Sequence, residues 1–160
     1  MYRILDIIKG TTVDGPGFRT SIYFAGCNHH CEGCHNPQSW DPEGGKEMSL
    51  KEIMDIIEEE DFDVTFSGGD PLFYANKLPI LVDAIKKNRR NLWIYTGYSW
   101  EEIILSPILF QAIRNADVLV DGKFDEELKD RDLPFRGSSN QRLIDIQKSI
   151  AEGKVIIFNR

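Results

Sequence analysis

Short, nearly continuous apolar runs alternate with amphipathic segments along most of the chain. The runs predict four buried strands, at residues 18–24, 62–66, 92–95 and 117–120. Strands of this kind are typical of a parallel sheet whose two faces are covered by helices. Their alternation with helical segments predicts βαβ units with right-handed crossovers.

The helical segments between these strands begin at recognisable caps. Ser49 and Ser99 are each followed three residues later by a glutamate, which predicts a capping box at both positions. Further helices are predicted at 79–87 and 107–115, each with a proline in its first turn.

The two ends of the chain follow a different pattern. Residues 1–8 are apolar enough for an edge strand that ends at Gly10. Near the C-terminus, only seven residues separate two further predicted strands, Leu143–Ile146 and Lys154–Phe158. Because a parallel crossover needs about a dozen residues, we expect this end to pair antiparallel or to cap the sheet.

The chain is too short for such βαβ units to close into a complete barrel. A complete eight-stranded β/α barrel takes about 250 residues, whereas this chain has 160. We therefore expect an α/β fold, an incomplete and open barrel of about five βα units with a mostly parallel sheet. It would form a single domain over residues 1–160, and its open side could admit a loop of another protein.

Composition and charge indicate a globular protein and argue against nucleic acid or membranes as binding partners. Hydrophobic residues make up 41% and charged residues 28%, which are ordinary values for a globular protein. A net charge of −7 favours neither nucleic acid nor anionic membranes as partners. The chain has no uninterrupted apolar stretch of membrane-spanning length and no signal-peptide core, so we expect a cytoplasmic protein.

One short segment concentrates the candidate chemistry. All the cysteines and histidines of the chain lie between Gly26 and Trp40: Cys27, His29, His30, Cys31, Cys34 and His35. Three thiolates can hold three irons of a 4Fe–4S cluster, and the chain has no fourth cysteine to complete the usual set. One iron would then stay open, and an open coordination position is where a metal site can act on a substrate.

Three cysteines and three histidines in one segment also suit other kinds of site. The odd number of cysteines and the short gaps between them argue against a disulfide framework. A structural zinc site with three cysteines and one of the three histidines is the stronger rival, although zinc motifs usually bring their ligands in two distant pairs. A non-catalytic iron–sulfur electron carrier is a further alternative.

The spacing Cys-x3-Cys-x2-Cys also carries a resemblance to a known family. It resembles the radical S-adenosylmethionine (SAM) superfamily, and three flanking segments narrow the similarity: Asp14–Arg19, Cys34–Trp40 and Arg136–Arg142. With these segments, the chain from about Ile7 to Phe158 is similar to the glycyl-radical-enzyme activases, in particular those of anaerobic ribonucleotide reductases.

The resemblance implies an oxidoreductase with two cofactors and two protein partners. The cofactors would be SAM and a 4Fe–4S cluster on Cys27, Cys31 and Cys34, with one open iron. Together they would generate a 5′-deoxyadenosyl radical that installs a glycyl radical on the large reductase subunit. The second partner would be a one-electron donor of the flavodoxin or ferredoxin type. Pyruvate formate-lyase or a small molecule are alternative targets.

The second half of the site is expected where the strands end. Ligands of parallel α/β folds bind at the carboxyl ends of the strands, where Thr96, Asp121 and the segment Gly68-Gly69-Asp70 are predicted to lie. Two glycines allow backbone to approach a ligand closely. The resemblance implies that this segment binds the SAM ammonium group, with Asp70 adding negative charge. Thr96 and Asp121 could bind SAM or simply cap helices.

The residue before the third cysteine departs from the superfamily pattern. An aromatic residue is often found there, whereas this chain has Gly33. The backbone of Gly33, Cys34 and His35 could still hydrogen-bond the adenine, and His35 or Tyr95 could stack on it. We expect His29 and His30 to face solvent or the partner. Among the other aromatic residues, Trp93 is predicted in the core.

Overall fold

Seven strands form a mixed sheet in the computed structural model, which describes residues 1–34 and 37–159. In chain order they are β1 Tyr2–Thr11, β2 Arg19–Phe24, β3 Lys46–Met48, β4 Asp63–Gly68, β5 Leu92–Tyr95, β6 Val118–Asp121 and β7 Arg142–Asp145. Their spatial order is β3-β1-β2-β4-β5-β6-β7.

Helices connect the central strands, and two of them begin at the predicted capping boxes. They are α1 Leu50–Glu60, α2 Leu78–Lys87, α3 Trp100–Ile104, α4 Pro107–Ile113 and α5 Ile146–Glu152. Ser49 and Ser99 both form the reciprocal bonds of a capping box with the glutamate three residues later. The two predicted capping boxes are therefore confirmed. Among residues 1–34 and 37–159, no helix is long and apolar enough to cross a membrane.

The pairing of the strands corrects the prediction of a mostly parallel sheet. β2, β4, β5 and β6 are parallel, and α1, α2 and the α3–α4 pair make the three crossovers between them. The pairs β1–β2, β1–β3 and β6–β7 are antiparallel. Only residues 12–18 join β1 to β2, which is too short for a parallel crossover. The fold is therefore mixed α/β, with three βα crossovers rather than about five units.

The N-terminal strand is also placed differently from the prediction. β1 is not an edge strand, because β3 pairs with its first residues, Tyr2 to Ile4. Nor does it end at Gly10, since β1 continues to Thr11. β3 has only three residues, two of them charged, so its sequence lacks the apolar pattern by which a strand is recognised.

The C-terminal segment matches its prediction in part. β7 pairs antiparallel with β6, so the expectation that the C-terminal end pairs antiparallel is confirmed. The predicted strand at 154–158 is wrong, because this segment forms a single antiparallel bridge between Ile144 and Ile157. α5 takes up most of the residues between the two.

The helices cover a core in which aromatic rings of neighbouring strands meet. Phe24 on β2 and Phe66 on β4 are fully buried, with ring centroids 5.2 Å apart. A second cluster surrounds Trp93 and includes Phe135 and Phe158, which pack edge-on against its indole. Trp93 is thus a core residue, as predicted. Packing on both faces fixes the central strands, whose carboxyl ends share one rim of the sheet.

Arg19 is a buried cation at the opposite end of β2. Arg19 is 1% exposed, and its guanidinium donates to Thr65 Oγ1, to the Asn91 side chain and to the carbonyls of Pro16 and Val64. Burial lowers the pKa of Arg19 because the charged form loses hydration. The hydrogen bonds offset that cost and join the loop before β2 to β4.

We expect Arg19→Met to lower the free energy of unfolding by about 3 kcal/mol or more, since each buried acceptor left unpaired costs roughly 1–3 kcal/mol. Urea denaturation followed by circular dichroism measures the change. Arg114→Met is the matched control, because Arg114 is exposed and its loss should cost about 0.5 kcal/mol or less. Equal losses for the two variants would contradict the anchoring role.

Candidate functional site

A cavity of about 330 Å³ lies at the carboxyl ends of β2, β4, β5 and β6. Its volume is within the range of roughly 300–1,000 Å³ found for small-molecule sites. Six of the predicted site residues line it: Cys27, Cys31, Cys34, Gly68, Gly69 and Thr96. Gly33, Asp70 and Asp121 are not among the lining residues, and His35 is outside the described residues.

The three cysteines approach this cavity from the loop that follows β2. Cys27 is buried, while Cys31 and Cys34 are half-buried. Burial raises the pKa of the Cys27 and Cys31 thiols, because it disfavours the thiolate. Backbone hydrogen bonds from His29 and His30 to Cys27, and from Phe124 to Cys31, oppose that effect. Sulfur atoms that accept hydrogen bonds from backbone amides are suited to iron–sulfur ligation.

Within residues 1–34 and 37–159, no three His, Cys, Asp or Glu side chains are close enough to hold one metal ion.

The two glycines at the end of β4 allow its backbone to approach the end of β2 and the start of the cysteine loop. A Cβ on Gly69 would lie 2.4 Å from the Gly26 carbonyl oxygen, and a Cβ on Gly68 would lie 2.3 Å from the Phe24 nitrogen. The Gly69 and Asp70 amides donate to the carbonyls of Phe24 and Gly26, at 2.8 Å each. The glycines therefore serve a backbone–backbone contact, and these two amides are already used. The groups of this turn that could bind an ammonium group are therefore its carbonyl oxygens.

Asp70 is directed into the protein. Its carboxylate is 2% exposed and accepts four hydrogen bonds, all from protein donors. Oδ1 accepts from the Leu72 amide at 2.9 Å. Oδ2 accepts from Thr96 Oγ1 and the Gly97 amide at 2.9 Å, and lies 2.7 Å from His29 Nε2. A direct contact of the Asp70 carboxylate with a ligand remains a prediction.

The neighbouring histidines of the cysteine loop differ in their surroundings. The expectation that His29 faces solvent or a partner is wrong, because its side chain is 7% exposed and bonds to Asp70. Its ring also packs edge-on against Tyr98, at 4.6 Å between centroids. His30 is exposed, as predicted, and stacks on Trp40.

Thr96 and Asp121 both use their side chains within the fold. The Thr96 hydroxyl donates to Asp70 and accepts from the Tyr98 amide, although Thr96 also lines the cavity. Asp121 is 1% exposed and accepts from the Trp100 amide at the start of α3. It also pairs with Arg142 at 2.6 Å, which raises the pKa of that guanidinium. Asp121 thus acts as a helix-end acceptor, the second of its two predicted roles.

The sequence matches a family described as a 4Fe-4S single cluster domain, over residues 13–144. The anaerobic ribonucleoside-triphosphate reductase-activating protein of Salmonella typhi is 37% identical over 140 residues, which cover 81% of this chain and 89% of that protein. The chain belongs to the family of these activating proteins. Relatives of the same name from Escherichia coli K12 and Enterobacteria phage T4 are 36% and 33% identical. They match 81% and 82% of this chain, and 89% and 86% of their own lengths.

A solved structure shares the fold of this activating-protein chain. QueE from Escherichia coli superposes with a TM-score of 0.52 at 18% identity, covering 75% of this chain and 69% of that one. At this identity the likeness concerns the fold alone.

The unusual glycine before the third cysteine has a local explanation in this member of the activating-protein family. Gly33 has φ +73°, a conformation that side chains rarely adopt. A Cβ there would lie 2.6 Å from the Glu126 carboxyl carbon. An aromatic side chain at this position would therefore be strained and would require the Glu126 side chain to move.

Several residues of this activating-protein cavity were not predicted from the sequence. Trp40, Phe124 and Gln141 line it together with the cysteines. Trp40 and Gln141 fall within the flanking segments that carry the family resemblance, which was the available signal. Tyr95, predicted as a stacking residue, also lines the cavity, while its hydroxyl donates to the Phe135 carbonyl. Burial raises the pKa of Tyr95, so its phenol stays protonated.

Proposed function

We propose that this chain is a radical SAM activase that installs a glycyl radical on an anaerobic ribonucleoside-triphosphate reductase. The observation that carries the proposal is the meeting of Cys27, Cys31 and Cys34 with the Gly68–Gly69 turn in one cavity of a chain from the activating-protein family. The single domain would span residues 1–160.

The residues present fit the implied cofactors. Cys27, Cys31 and Cys34 would hold a 4Fe–4S cluster with one open iron, and the backbone amides that bond to Cys27 and Cys31 suit the charge on cluster sulfur. The carbonyls of the Gly68–Gly69 turn would accept from the SAM ammonium group. When bound, the cluster supplies the electron that cleaves SAM to methionine and a 5′-deoxyadenosyl radical.

The chain itself contributes orientation and an opening for the partner. Packed strands hold the two halves of the site at fixed positions, which is the contribution proteins make to cofactor chemistry. The fold would be an open barrel, a proposal supported by the sheet order, in which β3 and β7 are the two ends. Its open side would admit a glycine loop of the large reductase subunit, and a flavodoxin or ferredoxin would supply the electron.

Anaerobic reconstitution with iron and sulfide tests the proposal. We expect a brown protein whose reduced cluster has a spin-resonance signal that changes when SAM is added. Mixing it with SAM, a strong reductant and the anaerobic reductase should produce a glycyl-radical signal on the reductase. A colourless protein that binds one zinc ion, or a reduced cluster insensitive to SAM, would refute the assignment. A signal produced on pyruvate formate-lyase but not on the reductase would change the partner.

A further inference from the structure

His29 occupies a buried position between two of the cysteines and bonds to a residue outside the cysteine loop. Its Nε2 lies 2.7 Å from Asp70 Oδ2, and both side chains are less than 10% exposed, at 7% and 3%. The contact joins residues 41 positions apart in the sequence. It is therefore a tertiary link and not a feature of the loop alone.

The Asp70 network, formed by His29, Asp70, Thr96 and Gly97, joins three segments that border the cavity. Thr96 and Gly97 both donate to Asp70 Oδ2, so this oxygen is an acceptor and the His29 nitrogen facing it is the donor. One carboxylate thereby connects the cysteine loop, the turn after β4 and the turn after β5. Hydrogen bonds to a buried charged group are among the stronger ones in proteins.

Gly97 makes room for this arrangement. A Cβ on Gly97 would lie 2.5 to 2.8 Å from three atoms of the His29 ring, which is closer than carbon atoms can pack. The ring lies directly over the glycine backbone, with Tyr98 against its edge. The absence of a side chain at position 97 therefore allows His29 to reach Asp70.

We infer that His29 is a positioning residue: by donating to Asp70 it holds the cysteine loop against the Gly68–Gly69 turn and thereby sets the affinity for SAM. The inference rests on the proposed function. The Nε2 of His29 is used by the Asp70 carboxylate and is not available as a metal ligand in this arrangement. Its effect is on the spacing between the two halves of the site, the cysteines on one side and the carbonyls of the turn on the other.

Three substitutions of His29 separate the contribution of its ring from that of its N–H donor. His29→Phe keeps a ring over Gly97 but removes the donor, His29→Gln keeps an N–H donor at similar reach, and His29→Ala removes both. Glu32→Gln is the matched control, since Glu32 lies in the same loop with an exposed side chain. Each reconstituted variant is reduced and titrated with SAM, and the spin-resonance change is followed.

We expect His29→Phe to bind wild-type amounts of iron and sulfide, and to need roughly tenfold more SAM for the half-maximal spectral change, the size expected for a lost hydrogen bond to a charged group. His29→Gln should need less than about threefold more, and Glu32→Gln should match the wild type. A wild-type titration midpoint for His29→Phe would overturn the inference. Loss of the cluster in both His29→Phe and His29→Gln would overturn it in favour of direct ligation.

A substitution at Gly97 tests the contact between His29 and Asp70 without changing either residue. Gly97→Ala should displace the ring and weaken SAM binding on its own, but should add little when His29 is already alanine. Such non-additivity is the mark of two residues acting through one contact. Additive effects would overturn the inference even if His29→Phe failed to fold. If the wild-type cluster does not respond to SAM, the proposed function fails instead.

Discussion

Cys27→Ala, Cys31→Ala and Cys34→Ala are each expected to reduce SAM cleavage to background. Each substitution leaves two thiolates for a cluster that needs three, and the chain contains no other cysteine that could replace the missing one. The open iron and the irons held by thiolates belong to one cluster, so partial activity is not expected from two ligands. Iron and sulfide content should fall in parallel with activity.

The measurement compares methionine release by anaerobically reconstituted variants under a strong reductant. Glu32→Gln, in the same loop, should retain full release. Circular dichroism of the cluster-free variants should match the wild type, because Cys31 and Cys34 are half-buried and Cys27→Ala removes one small buried group. Full turnover by any cysteine variant would contradict the three-thiolate assignment and leave a site of another kind.

The features of the fold that were predicted from the sequence are those encoded locally. Apolar runs gave the central strands, and a serine followed by a glutamate three residues later gave both capping boxes, because these signals lie within one element. The position of β1 was not predictable in this way. It depends on pairing with β3, a three-residue strand of mostly polar sequence, and so on a contact between residues more than 40 positions apart.

In the site, too, the features set by neighbouring residues were predicted, whereas those set by residues distant in the sequence were not. Cysteine spacing is local, and the three cysteines line the cavity as expected. The orientation of His29 is not local, because it requires Asp70 as an acceptor and a glycine at position 97 beneath the ring. The prediction for Gly68 and Gly69 identified a need for close approach but not its partners, which are the backbone of β2 for Gly68 and the backbone of the cysteine loop for Gly69.

Gly68→Ala should be the most destabilising of the glycine substitutions that affect the cavity. Gly68 has φ +105°, and a Cβ there would lie 2.3 Å from the Phe24 nitrogen and 2.5 Å from its carbonyl oxygen. Backbone atoms inside a sheet cannot move aside as the end of a flexible side chain can. Backbone strain of roughly 1–3 kcal/mol and overpacking of similar size together predict a loss of roughly 2–6 kcal/mol in the free energy of unfolding.

Gly153→Ala is a control that has the backbone strain of a positive φ but not the steric clash expected for Gly68→Ala. Gly153 ends α5 at φ +69°, and a Cβ there would meet nothing within 4 Å, so only the left-handed backbone cost of about 1–2 kcal/mol applies. Urea denaturation of both variants without cluster measures the difference. Because Gly68 pairs with Phe24 at the end of β2, directly before the cysteine loop, its variant should also lose cluster assembly, whereas Gly153→Ala should assemble normally. Equal destabilisation by the two variants would mean that β2 and β4 can separate at this point, and that close backbone contact is not what holds the two halves of the site together.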